Sequence, residues 1–166
     1  SAALEIAAGL IFSSVSNIKA DMKQLAYAGQ YVENSVLGLP SGIMDQMTCA
    51  FAERDSALLI DCRDLSFNPV KLPEGAAIVV MDTGTRRELA GTEYAKRRQA
   101  CEVTARELGL RSLRDATHSD LNRLDLRNGS NLKRAQHVIT ENIRVKKAVE
   151  AIQSQDIVEL GRLMTE

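Results

Sequence analysis

The chain has no tryptophan, two histidines, three cysteines and three prolines in 166 residues, and only 4% of it is aromatic. Each scarcity excludes something. His118 and His137 are too few and too scattered for a histidine metal site. Cys49, Cys62 and Cys101 are an odd number without CxxC or Cys/His spacing, and they lie within apolar or helical patterns. They read as reduced structural thiols of a cytoplasmic protein rather than as a disulfide framework. No apolar run nears the roughly 18 residues a membrane span needs; the longest, residues 76–81, is strand length. An excess of one charge is also missing, with 21 Lys and Arg against 22 Asp and Glu. That balance argues against a nucleic-acid-binding surface over the whole molecule.

The length suits one ordinary domain or pieces of two. Residues 2–15 predict a small-residue helix, apolar on almost every side and therefore buried. Residues 22–34 predict a second helix with Leu25, Ala26, Ala28 and Val32 on one face and Glu33 near its end. A Glu at a helix carboxyl end opposes the dipole. It is either a solvated end charge or a carboxylate held there for a cation. Residues 56–62 and 65–72 predict a hairpin, and Pro73-Glu-Gly75 a turn that serves as a domain boundary. Residues 76–81 predict a further strand, feeding the loop Asp82-Thr-Gly-Thr-Arg-Arg-Glu88. That loop is either a polar connector or, with its glycine, two hydroxyls and Arg86 and Arg87, a seat for an anion.

Beyond it, residues 93–108 predict a long helix whose arginines are balanced by Glu102 and Glu107, ended by Gly109. Two short helical turns follow near Ser112 and Ser119. A helix over residues 132–151 turns Ala135, Val138, Ile139, Ile143 and Val149 inward, and another covers 156–164. Internal repeats and low-complexity tracts are lacking.

The most informative stretch is Leu37-Gly-Leu-Pro-Ser-Gly-Ile-Met-Asp-Gln-Met47. Pro40 and Gly42 punctuate a loop, after which Ile43, Met44, Met47, Ala50 and Phe51 recur at helical spacing. Asp45 thus falls in a first helical turn. It either caps the helix or lies at the floor of a cleft, where a helix amino end also favours phosphate oxygens.

The wording Pro-Ser-Gly-Ile-Met-Asp-Gln resembles the segment that carries the catalytic aspartate in galactokinases, of the GHMP family of small-molecule kinases. Ser1-Ala-Ala-Leu-Glu5 is similar to the tail of that family's phosphate loop. Glu33, twelve positions before Asp45, falls where the family has a magnesium-binding glutamate. Ala57-Leu-Leu-Ile-Asp-Cys-Arg63 resembles the strand after the catalytic helix. Thr85-Arg-Arg-Glu-Leu-Ala-Gly-Thr-Glu-Tyr94 resembles the segment supplying a sugar-contacting tyrosine, and Arg134-Ala-Gln-His-Val-Ile-Thr-Glu-Asn142 a later helix. Two departures stand out: Ser41 where Cys or Thr is frequent, and Arg87 where His is often seen. The family's Gly-x-Gly-Leu-Ser-Ser, its Arg-x-Asn-x-Ile-Gly-Glu-His-Thr-Asp segment and its late glycine-rich motif are not in these 166 residues. Both ends fall inside helical patterns and read as cut.

The resemblance implies an α+β, GHMP-kinase-like two-domain architecture. Residues 1–74 would belong to the amino-terminal ATP and catalytic domain and residues 75–166 to the carboxyl-terminal domain. It implies a sugar 1-kinase with ATP and Mg2+, most simply for galactose. Asp45 would be the general base, Gly42, Asp45 and Tyr94 the sugar-binding residues, Ser1 and Arg86 nucleotide contacts, and Ser1 and Glu33 metal ligands. Partners would be a small sugar and ATP, with no nucleic acid and no membrane. The alternatives are a sugar and ATP sensor without turnover, or a kinase of arabinose, galacturonate or N-acetylgalactosamine. The 166 residues alone are expected to be inactive and to expose apolar surface.

Overall fold

The computed structural model describes residues 1–84, 93–123 and 129–166. The chain divides into two units, Ser1–Ala90 and Gly91–Glu166.

The first unit is three helices and a hairpin. Helix α1 spans Ala2–Val15, α2 Met22–Tyr31 and α3 Met44–Phe51. Asp21 starts α2 by accepting hydrogen bonds from the Lys23 and Gln24 amides at 2.9 and 3.2 Å, satisfying two donors that a helix start leaves orphaned. Strands β1 (Ser56–Asp61) and β2 (Ser66–Lys71) pair antiparallel, with Ser56 opposite Lys71 and Asp61 opposite Ser66. Pro69 is tolerated in β2 because a two-stranded sheet consists only of edges. The core gathers Ile6, Ala26, Ile43, Met47 and Leu65, with the Phe51 and Phe67 rings stacked at 4.3 Å between centroids.

Three expectations need correction here. α1 forms as predicted but is buried only at Ala2 and Ile6, while Leu4, Ile11 and Phe12 stand in water, Phe12 at 71% exposure. A helix that is apolar all round needs neighbours on every side, and α2 and α3 cover one. The second helix stops at Tyr31 rather than Asn34, because Val32–Val36 widens into a π-turn closed by the Leu37 amide on the Val32 carbonyl at 2.9 Å. Residues 76–81 form no strand, and Ile78, Val79, Val80 and Met81 are 75–89% exposed. A strand needs a partner to satisfy its backbone, and among the described residues none lies beside this segment.

The second unit is helical. α4 (Glu93–Glu107) ends where Gly109 adopts φ 72°, and the Leu110 amide reaches back to the Ala105 carbonyl at 2.8 Å. Without a Cβ, glycine takes this left-handed conformation at little cost. Short turns at Leu113–Asp115 and His118–Arg123 lead on to α5 (Gly129–Gln153) and α6 (Ile157–Thr165), the latter capped by Asp156. The core is Ala105, Leu108, Leu113, Ala135 and Ile139. Ile143, expected to face inward, is 46% exposed: the core that takes in Ala135 and Ile139 of α5 does not extend to it. Among the described residues no helix is long and apolar enough to cross a membrane.

Candidate active site

The polar residues of the first unit converge beneath the loop that leads into α3. Glu33, in the π-turn, is 8% exposed. Its Oε1 accepts a hydrogen bond from the Ser1 hydroxyl and its Oε2 one from the Ser41 hydroxyl. These two donors, helped by Gln46 and Glu5, hold its carboxyl below the ordinary 4.5, while burial pushes the other way. Glu33 is therefore not a solvated end charge but an ionised carboxylate held in place at neutral pH.

The π-turn also fixes the loop. The Asn34 amide Nδ2 donates to the Gln30 carbonyl at 3.0 Å and to the Ser41 carbonyl at 3.2 Å, and the Leu39 amide donates to the Glu33 carbonyl at 2.8 Å. Extra-wide turns of this kind are often found at functional sites. Here the wide turn tips Glu33 and Asn34 towards Ser41. Gly42 follows, exposed, and α3 opens at Met44.

Asp45 lies exposed in the first turn of α3. No side chain caps that helix, so the capping role open to Asp45 is not taken. Its carboxylate stands near the partly positive helix start, facing solvent.

One layer deeper are two residues that the sequence reading did not single out. Gln46 is fully buried, and its Nε2 donates to Glu5 Oε2 of α1 at 3.0 Å. Its Oε1 is buried without a hydrogen-bond partner. Gly29 of α2 lies where these side chains cross. A Cβ there would sit 2.7 Å from Glu5 Oε2 and 3.0 Å from Gln46 Cγ. The available signal was a lone charge, Glu5, in an otherwise apolar helix.

The structure thus joins Ser1 and Glu33 directly and places Gly42 and Asp45 on the loop and helix that Ser41 ties to them. Tyr94, 59% exposed, belongs to the first turn of α4 in the other unit. Arg86 lies outside the described residues. Cys49, Cys62 and Cys101 are not in disulfides, and burial pushes the Cys101 thiol up.

Comparison with known proteins leads to the small-molecule kinases. Residues 1–53 match the family described as GHMP kinases N terminal domain. Within that class the similarity is to galactokinases. That of Chloroflexus aurantiacus is 44% identical over 170 residues, and that of Actinobacillus pleuropneumoniae 39% over 168, each match taking in 99% of this chain. The crystal structure of Lactococcus lactis galactokinase complexed with galactose superposes with a TM-score of 0.88 at 29% identity, covering 98% of this chain and 44% of that one. The chain spans 44% of the length of these relatives. The resemblance first read from residues 40–46 and the α+β, GHMP-kinase-like fold are both borne out.

Proposed function

We propose that the polypeptide carrying this chain is a galactokinase-type phosphotransferase. It moves the γ-phosphoryl group of ATP to the C1 hydroxyl of a monosaccharide, galactose foremost. The observation that supports this most is the Glu33 carboxylate, buried and gripped by Ser1 and Ser41 at the base of the loop delivering Asp45.

In this reading Asp45 accepts the proton of the sugar C1 hydroxyl as the new oxygen–phosphorus bond forms and the bond from phosphorus to the ADP oxygen breaks. A sugar hydroxyl ionises far above a carboxylate, so the transfer must coincide with attack. Asp45 is free for this because it spends nothing on capping α3. Gly42 leaves the backbone open to the sugar, and Tyr94 is assigned a sugar contact on the family resemblance alone. Arg86 is assigned to the nucleotide.

Glu33 and the Ser1 hydroxyl suit Mg2+: both offer hard oxygens, one of them ionised and held in place by its serine donors. Among the described residues no three of His, Cys, Asp and Glu gather as a metal cage. This fits an ion that takes one or two carboxylates and otherwise waters and phosphate oxygens. When bound, it neutralises charge developing on the phosphoryl oxygens. Residues 1–74 are assigned to the amino-terminal domain of such a kinase and 75–166 to the start of its second domain. A cytoplasmic setting follows from the need for ATP and from the three thiols.

The test is ADP release by the full polypeptide with ATP and Mg2+ against galactose, glucose, arabinose, galacturonate and N-acetylgalactosamine. Galactose-dependent turnover is expected, falling at least ~10²-fold in Asp45→Asn with galactose binding largely kept. Retained turnover in Asp45→Asn would remove the base assignment. Tight galactose binding without turnover on any sugar would replace the kinase with a sensor.

A further inference from the structure

We propose that Gln46 is a positioning residue for phosphoryl transfer, tying α3 to α1 through Glu5 so that the start of α3, and Asp45 on it, is held in register with Glu33. This inference rests on the kinase reading above.

Three observations converge on it. Gln46 follows Asp45 in the first turn of α3, so any shift of its backbone moves Asp45 as well. It is 0% exposed, yet it commits its amide donor to a carboxylate on a different helix, forty-one residues away. A buried hydrogen bond is costly to leave unmade, so the link constrains both helices. Thirdly, α2 carries no side chain where this link passes. At Gly29 a Cβ would fall 2.7 Å from the very oxygen that accepts the bond.

The orientation of the amide follows from the same chemistry. Reversed, Gln46 would set its carbonyl oxygen against Glu5 Oε2, the atom that now accepts from Nε2. As placed, the donor is used and Oε1 goes without a partner. A side chain chosen for packing alone would not leave a buried oxygen unpaired, since that costs free energy. The arrangement accepts the cost to keep one donor aimed at Glu5.

The experiment exchanges donor and acceptor in the full polypeptide. Gln46→Glu keeps the shape and sets carboxylate against carboxylate. The double variant Glu5→Gln with Gln46→Glu restores one donor and one acceptor at unchanged net charge. With galactose as acceptor, kcat per folded molecule is expected to fall about 30-fold in the single variant and to return to within about 3-fold in the exchange, galactose KM staying within about 3-fold in both. Binding of Mn2+–ATP, followed by electron paramagnetic resonance without sugar, should weaken in the single variant and recover in the exchange. Should Gln46→Glu fail to fold, Gln46→Met removes the donor without adding charge, and about a 10-fold loss of kcat is expected. Unchanged kcat per folded molecule in the single variants, or an exchange variant that folds like the parent yet stays slow, would overturn the proposal alone. No turnover on any sugar in the unaltered polypeptide would overturn the kinase reading and this inference with it.

Discussion

The two units bury very different things. The second packs Ala105, Leu108, Leu113, Ala135 and Ile139 into a core of hydrocarbon, and its buried Thr104 donates only to its own helix, at the Ala100 carbonyl. The first has such a core too, but immediately beside it buries Glu33 and Gln46, with Ser1, Ser41 and Glu5 as their partners. Apolar packing is forgiving of small adjustments and gives stability. A buried polar network tolerates little rearrangement and gives position. The contrast separates a unit whose inner residues serve to hold it together from one where some of them serve to aim a carboxylate.

Substitutions can sharpen or break that contrast. The largest stability effect is expected in the apolar core: Ile139→Ala should cost about 2–5 kcal/mol, read by hydrogen exchange of α5 amides in the full polypeptide. Exchange in α3 should be little changed. Gly29→Ala should act in the opposite place, costing about 1–3 kcal/mol by driving a methyl group into the Glu5–Gln46 link. It should loosen α1 and α3 while leaving α5 untouched. If Gly29→Ala proved silent, the link would be softer than its geometry implies.

The smallest effect is one of pH. Glu33 is held below its ordinary 4.5 in the folded protein. Its contribution to stability is thus complete above 4.5 and is lost as pH falls through the lower folded value. Thermal unfolding between pH 7 and 3 should show this loss, and Glu33→Gln should flatten that part of the profile. An identical profile in the variant would mean that the two serine hydroxyls bind the acid form as well as the carboxylate.

The sequence made most elements visible, for reasons that particular residues explain. α4 with its glycine stop, the hairpin, the two short turns and α6 all carry local signals: a cap, a period of two, or a residue that adopts positive φ. Pro40-Ser-Gly-Ile-Met-Asp-Gln46 pointed to Asp45 and, by distance along the chain, to Glu33. What it did not show depended on contacts far apart in sequence. The π-turn inserts one residue into a helix, too brief a change for periodicity to register. Gln46 reads as an ordinary polar position until Glu5, forty-one residues earlier, is seen opposite it. The burial of α1 was overstated because an apolar pattern says that a surface wants covering, not what covers it.

Ile78, Val79, Val80 and Met81 carry that last point into folding. These four consecutive side chains are almost wholly wetted, on a backbone that pairs with nothing among the described residues. Short, uncharged, β-prone and free of proline, such a segment is what aggregating chains add to one another. For as long as it stands open, two copies of the chain can pair along it, so the concentration at which the chain remains dispersed is set here rather than in either core.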